Sequence, residues 1–569
     1  MLWTNEPAES VGPAWSEAPD GAGVVGHTGY LVGDAPTSEA IVRRRPLPRL
    51  AGVWSLLGAE ADGIGAVTCA SGAEQVFVAE GADVVVVSSR ALLAHLIVDP
   101  SGPHADPLGL TSIVSVGYST TDRTVFDGVR ALPPATHACV DRDGRLEIGD
   151  ARWASEPLPV LDALRGSLGP LAPHGHGRVP LGLTGGRDSR LMLALLADRG
   201  IEVDARTSGL PGDPDVVVAS RVAATLGIPH RITPPRGAEI DEGGVVVDVR
   251  GRVKEAIVLA DGMLSAYDRV GRVGERYDAR RAPFGGTGGE ILRGYYAAAV
   301  KDPADPLAVA SYLRGRVLGS VRNLTADARL AYEAEVAPWT IAASQQGPAA
   351  LEDFYVRQRT GRWTGAARHA ASIGCSARRP FLDHEVIRAV RAVDLHERMS
   401  ERLVATLLGE LAPALRDVPF AGRRWKFDTR PSDRRDLEAW EARAPVDSGR
   451  GDQATFNWRL DLPEVRAELA SIVLDAPAGL WEVVDRRRVE QRLAAERPQS
   501  RQEVVRIWHI ATAAGCLASG FWSDPTSRLV DGSSPLSAAA PGPVALATTP
   551  ALSGRARRVV ELLRSRLRR

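Results

Sequence analysis

RVPLGLTGGRDSRLMLALLADRG, residues 178–200, is an apolar run, a glycine-rich turn and a second apolar run. The segment Val179–Leu183 is short and apolar, which is typical of an interior strand of a parallel sheet. The segment Ser189–Leu196 is apolar on all sides and predicts a buried helix. The turn between them therefore lies at a helix N-terminus, where backbone N–H groups have no partner within the helix.

This turn contains a charged residue that needs an explanation. Unpaired N–H groups and the helix dipole favour an anion such as a phosphate. Asp188 in the same turn would repel that phosphate, unless a cation lies between the two groups. Mg²⁺ takes oxygen ligands and commonly bridges a carboxylate and substrate phosphates. We therefore predict a phosphate site with Mg²⁺ on Asp188.

Length and composition restrict the class of protein. A chain of 569 residues is too long for one core, so at least two domains are expected. A hydrophobic content of 44% and a charged content of 24% are ordinary for a globular protein. The net charge of −1 argues against a nucleic-acid-binding protein.

Four scattered cysteines favour a reduced, cytoplasmic protein. The first residues, MLWTNEPAES, do not resemble a secretory signal. No stretch of about 18 uncharged apolar residues is present, so no membrane span is expected.

Three regions differ in pattern. Residues 1–155 alternate short apolar runs with Gly/Asp turns, which predicts a layered, mostly β domain. Residues 156–525 alternate strands with longer helices and become helical beyond about 400, which predicts a parallel sheet with a helical C-terminal part. Residues 526–569 are a Pro/Ala-rich linker and a basic tail, either solvated or docked on a partner.

The glycine turn is not a Walker loop, because no Gly-Lys-Ser/Thr follows it, and it lacks the G-x-G-x-x-G spacing of dinucleotide sites. Thr184-Gly185-Gly186-Arg187-Asp188-Ser189 instead resembles the pyrophosphate loop of the ATP pyrophosphatases. Those enzymes cleave ATP between the α- and β-phosphates and form an adenylate. The competing interpretation is a strand-to-helix turn that merely needs glycine.

Three further stretches resemble motifs of the asparagine synthetase family and follow the order that they have in that family: TVFDGVRALPP at 124–134, GGTGGEILRGY at 285–295 and RRPFLDH at 378–384. The resemblance covers about residues 20–520. The resemblance implies an α/β fold with a degenerate Ntn-hydrolase-like αββα domain over 1–155. It also implies an adenine-nucleotide α-hydrolase-like, parallel-sheet synthetase domain over 156–525. The implied ATP-binding residues are Leu183, Thr184, Gly185, Gly186, Asp188, Ser189, Thr207 and Gly285, with Asp188 and Glu290 on Mg²⁺.

Departures from the family pattern concern the source of nitrogen. Glutamine-dependent members begin Met-Cys, whereas residue 2 here is Leu2 and no cysteine precedes Cys69. The glutamine-binding motifs are also missing. We therefore expect no glutaminase activity and an amine brought by the substrate.

Two amine-using branches fit this expectation. The β-lactam synthetases carry a base dyad at the positions of Gly286 and Ser376, so that dyad is missing here. The family's metal-binding aspartate corresponds to Gly289, with Glu290 next to it. The form G-G-E-x-x-R-G-Y-Y and the later stretch RWKF, residues 424–427, look more like the lasso peptide macrolactam synthetases.

The lasso resemblance implies a ribosomal precursor peptide as substrate, with a leader-binding protein and a leader peptidase as partners. An ammonia-dependent asparagine synthetase and a β-lactam-synthetase-like enzyme remain the alternatives. Nothing in the sequence identifies the peptide or its acceptor carboxylate.

The predicted catalytic residues are Lys426, Arg402 and Glu290. The family places a lysine near the adenylate, roughly twelve residues before a Leu-Pro pair, and the same spacing from Pro413 reaches Glu401. Arg402 follows it and could supply charge, but an arginine does not readily exchange a proton. Lys426 is one of only three lysines in the chain and lies between two aromatic residues. We expect Lys426 to stabilise charge on the adenylate carbonyl.

Overall fold

The structure is a computed structural model. It describes residues 15–17, 23–169, 177–210, 212–233, 239–241, 244–246, 248–268, 282–372, 375, 377–447, 457–495, 498 and 500–522. The predicted linker and basic tail, 526–569, and Ser376 lie outside these ranges.

The N-terminal domain contains two antiparallel sheets within its described residues. The larger sheet has the strand order β1-β2-β3-β4-β8-β9 and the smaller has the order β6-β5-β7. The strands are β1 Trp15–Glu17, β2 Gly23–Val32, β3 Ala51–Glu60, β4 Gly63–Thr68, β5 Phe77–Glu80, β6 Val85–Ser88, β7 Val129–Ala131, β8 Thr136–Asp141 and β9 Leu146–Asp150. The helices are α1 Ser38–Val42, α2 Ala91–Val98 and α3 Pro107–Val116.

The two sheets face each other between helical layers. On β4, Gly65 lies against Ile41 of α1, whereas Ala66 belongs to an apolar cluster with Val78 of the smaller sheet. Because successive residues of a strand point to opposite faces, α1 and the smaller sheet cover opposite faces of the larger one. Helix α2 packs on β5 and β6. The described N-terminal residues thus form α-β-β-α layers, whereas the predicted bounds of the two domains stay a prediction.

The second domain is built on a parallel sheet, as the alternating pattern predicts. Strands β10 Val179–Gly182, β11 Val203–Ser208 and β12 His230–Thr233 lie in that order. Phe284 bridges in parallel to Leu181 of β10 and also to Arg378, which extends the sheet by two short segments. The glycine-rich stretch 285–295 therefore begins directly beside the end of β10.

The helices after the first two strands are α5 Arg187–Asp198 and α6 Pro214–Thr225. Strand β10 and helix α5 confirm the predicted strand and helix around the glycine turn. A hairpin, β13 Glu239–Asp241 and β14 Gly244–Val246, follows β12.

The C-terminal part is helical, as expected. Two helices, α4 Val160–Ser167 and α7 Val249–Ala260, precede this part. Its own helices are α8 Pro306–Val317, α9 Ala326–Gln346, α10 Pro348–Phe354, α11 Gly365–Ser372, α12 His384–Arg391, α13 Leu395–Met399, α14 Arg402–Leu411, α15 Pro413–Arg416, α16 Arg434–Ala442, α17 Trp458–Asp461, α18 Pro463–Leu474, α19 Leu480–Val483, α20 Arg486–Ala494, α21 Arg501–Leu517 and α22 Ser519–Trp522. A π-helix, Tyr355–Thr364, connects α10 to α11, and a 3₁₀ turn spans Gly289–Arg293. Within the described ranges, no helix combines the length and apolarity needed to cross a bilayer.

The stretch 378–384 joins the two domains. Asp383 is fully buried, caps α12 by accepting from the Glu385 N–H at 2.8 Å, and accepts a hydrogen bond from the Gly52 N–H of β3. His384 accepts from the Ala70 N–H at 3.0 Å, and its ring lies 4.1 Å from that of Trp153. These two residues therefore hold the domain interface, and neither is in contact with the glycine turn.

Candidate functional site

The glycine turn closes on itself through side-chain hydroxyls. The N–H of Thr184 donates to Oγ of Ser189 at 3.0 Å, and the N–H of Gly186 donates to Oγ1 of Thr184 at 3.2 Å. Gly186 precedes α5 and offers no side-chain cap. The N–H groups at the start of α5 therefore face the end of the sheet, where phosphates bind at helix N-termini.

One backbone donor of the turn already holds a carboxylate. The N–H of Gly185 donates to Oδ1 of Asp215, from the first turn of α6, at 3.1 Å. A carboxylate oxygen is an anionic acceptor like a phosphate oxygen. This contact ties the turn to the start of α6.

The other predicted ATP-binding residues lie at the same edge of the sheet. Oγ1 of Thr207 donates to the carbonyl of Leu183 at 2.7 Å, which ties the end of β11 to the turn. Gly285 follows Phe284, the residue beside β10. The structure thus brings these three residues next to the turn, at the carboxyl ends of parallel strands, where ligands of such sheets bind.

The second glycine-rich stretch packs directly against the start of α5. A Cβ at Gly286 would lie 2.7 Å from the backbone N of Ser189, and one at Gly289 would lie 2.5 Å from Cβ of Asp188. Real Cβ atoms do not approach so closely. Side chains at these two positions are therefore sterically excluded, and the two loops form one surface.

Asp188, the predicted Mg²⁺ ligand, forms an ion pair with an arginine of the second loop. Its two carboxylate oxygens accept from Nε and Nη2 of Arg293 at 3.0 and 2.7 Å. Burial lowers the pKa of Arg293, but the charge of Asp188 opposes this and leaves the pKa above its usual value. Arg293 was not predicted from the sequence, although it lies in the quoted GGTGGEILRGY stretch. The feature that could have indicated it is its position three residues after Glu290.

Glu290 is the second carboxylate at this position. Burial raises its pKa, and the negative charge of Asp188 raises it further. A cation between the two carboxylates would relieve this repulsion. The oxygens of Asp188 and Glu290 therefore fit one Mg²⁺ that arrives with a nucleotide, because Mg²⁺ takes one or two carboxylates together with phosphate oxygens.

A buried ion pair holds the other side of α5. Nε of Arg187 donates to Glu401 at 2.8 Å, and the two side chains are 2% and 4% exposed. The Arg187 guanidinium lies 4.3 Å from the centre of the Phe420 ring. Glu401 has φ of +68°, an unusual conformation for a residue with a side chain. Sequence reasoning assigned no role to this pair, because nothing in the local pattern marks it.

Lys426 lies beside this pair. Its backbone N–H donates to Glu401 at 3.1 Å, and its Nζ donates to the carbonyl of Ala298, next to the second loop, at 2.7 Å. Although the side chain is exposed, partial burial lowers the pKa of Lys426; Glu401 opposes the shift, whereas Arg293 and Arg187 add to it. The neighbouring Trp425 is buried in the core.

Arg402 lies close to Lys426 but makes a different contact. It begins α14 directly after Glu401, and its guanidinium lies 5.4 Å from the centre of the Phe427 ring. Lys426 thus reaches the backbone next to the loop that carries Glu290, whereas Arg402 packs on Phe427.

Four cationic side chains lie within electrostatic reach of one another's neighbours around the turn. The charges of Arg187, Arg293 and Arg423 act on Lys426, and those of Arg293 and Arg423 also act on Arg187. Arg187 is paired with Glu401 and Arg293 with Asp188, whereas Arg423 and Lys426 form no salt bridge within the described residues. Arg423 and Lys426, near a helix N-terminus, can therefore bind a polyanion and stabilise charge that develops on it.

Comparison with known protein families finds a match for more than half of the chain. The model of the asparagine synthase family matches residues 172–519. No curated protein matches the sequence significantly.

Two solved structures share a low similarity with the chain. Glutamine phosphoribosylpyrophosphate amidotransferase from B. subtilis, complexed with ADP and GMP, is 12% identical, covers 42% of this chain and 52% of its own, and has a TM-score of 0.16. An allosteric regulatory enzyme of purine biosynthesis is 14% identical over 42% of this chain and 51% of its own, with a TM-score of 0.16. This chain thus spans about half the length of each, and the TM-scores are too low to establish a shared fold.

Proposed function

Because the chain belongs to the asparagine synthase family and is therefore an ATP-dependent amide-forming ligase, we propose that it adenylates a side-chain carboxylate of a peptide and closes a macrolactam, as a lasso peptide synthetase does. AMP and pyrophosphate are the products of ATP in this proposal. The amine that attacks the adenylate is the N-terminus of the same peptide.

The observation that carries the proposal is the glycine turn at the start of α5, surrounded by the cations of four side chains. ATP brings several negative charges, and the turn supplies backbone donors at the end of the sheet. Arg293 and Lys426 approach this turn from two different loops. The arrangement suits a triphosphate better than a singly charged ligand.

Adenylate formation follows from these positions. A carboxylate oxygen of the peptide attacks the α-phosphorus, the bond from that phosphorus to the bridging oxygen breaks, and pyrophosphate leaves. The N–H groups of the first turn of α5, which no side chain caps, hold the departing pyrophosphate, and Ser189 keeps the glycine turn in shape. Asp188 and Glu290 are the residues that would hold Mg²⁺, which would neutralise phosphate charge when bound with ATP.

Amide formation needs a second kind of stabilisation. The amine nitrogen attacks the acyl carbon, AMP leaves, and the amine loses a proton. Lys426 is the residue we assign to the negative charge on the acyl oxygen, since its Nζ is held beside the second loop. Arg402 supplies positive charge nearby.

The nitrogen comes from the substrate in this proposal. A cysteine nucleophile requires a thiolate, but burial raises the pKa of Cys139 to about 11 and that of Cys516 to about 12. Cys69 is fully buried and contacts Ser71. These three thiols are therefore unsuited to hydrolysing glutamine.

The peptide would enter on the side of Glu290 away from the turn. The π-helix brings Tyr355 to that side, where its ring lies 6.1 Å from that of Tyr295. Arg359, from the same π-helix, acts electrostatically on Glu290 and stacks 3.3 Å from the centre of the Trp363 ring. Aromatic rings and a guanidinium suit an extended peptide that carries an acidic side chain. A leader-binding protein and a leader peptidase complete the proposed partners.

The alternatives use the same ATP site. An asparagine synthetase that takes free ammonia would accept free aspartate in place of a peptide. A β-lactam-synthetase-like enzyme is disfavoured, because the position of one member of its base dyad is Gly286, where no side chain fits.

The test is to incubate the purified protein with ATP and three acceptors: a candidate precursor peptide, aspartate with ammonia, and a β-amino acid. We expect AMP and a peptide that is one water lighter in mass. Asparagine formation would replace the peptide assignment, and ADP with phosphate would contradict adenylation altogether. Asp188→Asn is the negative control, and Arg316→Met, which alters an arginine on α8, is the matched positive control.

A further inference from the structure

The contact between Asp188 and Arg293 has the geometry of a positioned binding group. It is bidentate, its side chains are only 20% and 13% exposed, and it joins the first turn of α5 to the 3₁₀ turn of the second loop. Two N–H groups of the guanidinium, from Nε and Nη2, point at the carboxylate. A guanidinium has five N–H donors, so three remain for another acceptor.

Steric exclusion leaves Arg293 in a special position. Gly289 approaches Asp188 so closely that no side chain fits there, and a further carboxylate cannot be placed against Asp188 from that residue. One turn later on the same 3₁₀ segment, the guanidinium of Arg293 fills the adjacent space. A permanent positive charge thus lies directly beside Asp188, at the start of α5.

Arg187, the other arginine next to Asp188, is already committed. Its Nε donates to Glu401, and its Nη2 donates to the carbonyl of Arg424 at 2.7 Å. Its ring contacts with Phe420 and Trp425 hold it in the core. Arg293 has Asp188 as its hydrogen-bonding partner on the side of the turn and lies 5.9 Å from the centre of the partly exposed Tyr295 ring.

We propose that Arg293 binds the β- and γ-phosphates of ATP and the pyrophosphate that leaves, oriented by Asp188. The inference rests on the proposed function, because it concerns the same nucleotide. The guanidinium geometry matches two phosphate oxygens.

Calorimetric binding of AMP and of inorganic pyrophosphate, each titrated in EDTA, tests this role without turnover. We expect Arg293→Met to weaken pyrophosphate binding about 10- to 100-fold, as loss of charged hydrogen bonds does, and to leave AMP binding within about twofold. Arg293→Lys keeps the charge without the bidentate geometry. Its affinity for pyrophosphate should lie between those of the wild type and Arg293→Met. Arg316→Met, on α8, where the guanidinium lies 5.1 Å from the centre of the Tyr296 ring, should bind both ligands as the wild type does.

Equal losses of AMP and pyrophosphate binding would show a merely structural arginine, and unchanged pyrophosphate binding would remove the role altogether. If Arg293→Met does not fold, Arg293→Lys decides by the same criteria. A wild type that binds neither ligand in EDTA but binds ATP with Mg²⁺ would overturn the inference alone, whereas one that binds none of them would overturn the proposed function itself.

Discussion

The carboxylate of Glu401 accepts a hydrogen bond from Nε of Arg187 at 2.8 Å, in a pair that is almost completely buried. The same carboxylate accepts from the backbone N–H of Lys426 at 3.1 Å. The pair therefore connects the first turn of α5 to the segment that carries the predicted catalytic lysine. By spacing, the family's lysine corresponds to position 401. That position holds Glu401, which anchors a different lysine, Lys426.

Removal of the Glu401 charge should destabilise the fold. In Glu401→Gln, the guanidinium of Arg187 stays buried without a counter-charge, and such losses cost about 3–5 kcal/mol. Urea unfolding of Glu401→Gln against the wild type measures this cost. Glu397→Gln, an exposed glutamate on the preceding α13, is the control. Equal midpoints for wild type and Glu401→Gln would mean that the pair does not stabilise the site.

The assignment of Lys426 predicts a split between the two half-reactions. Lys426→Met keeps the bulk of the side chain and removes its charge, so ring formation should slow on the order of a hundredfold. ATP–pyrophosphate exchange should fall less, since it reports the first step alone. Both rates are measured with one peptide, by mass spectrometry and by labelled pyrophosphate.

Arg402→Met is the matched comparison for Lys426→Met. Its guanidinium packs on Phe427 and should contribute less to ring formation. An inactive Arg402→Met together with a fully active Lys426→Met would transfer the role to Arg402.

Glu290 should impose an acid limb on the exchange reaction. Burial and the charge of Asp188 raise its pKa, so the carboxylate form exists only above a pH higher than usual for a glutamate. Exchange should therefore rise with pH through this shifted pKa, because the ionised carboxylate is the form that holds a cation. Glu290→Gln should lose the limb and most of the activity, whereas a limb that survives in Glu290→Gln would assign it to another group.

His384 should make stability depend on pH. Burial lowers its pKa to about 3, whereas an unfolded histidine titrates near 6.5. The unfolded chain thus binds the proton more tightly, and the stability that is present above about pH 6.5 is lost as the pH falls toward 3. The contribution is about 1.4 kcal/mol per pH unit in that window.

The check is urea unfolding at pH 7.5 and at pH 5. His384→Gln still accepts from the Ala70 N–H, loses the ring contact with Trp153 and should show a smaller difference between the two pH values than the wild type. His396→Gln, at an exposed histidine of α13, should keep the wild-type difference. A full difference in His384→Gln would place the titration on another buried group.

The glycine turn, with its strand and helix, could be predicted from the sequence because the residues that form it are contiguous. From Val179 to Leu196, the apolar runs and the two glycines fix the local backbone, and neighbouring residues supply the contacts between Thr184 and Ser189. The layered first domain and the helical C-terminal part also follow from short-range patterns, since strands and helices differ in their apolar period.

The charged pairs around the turn depend on folding. Asp188 and Arg293 are 105 residues apart in the chain, and Arg187 and Glu401 are 214 apart, so no local pattern relates them. Arginines are frequent in this sequence, and only the packing of α5 against the second glycine loop selects which of them reach the phosphate position. The nucleotide class of the site was therefore visible in a contiguous motif, whereas its charge balance exists only where distant segments meet in the folded protein.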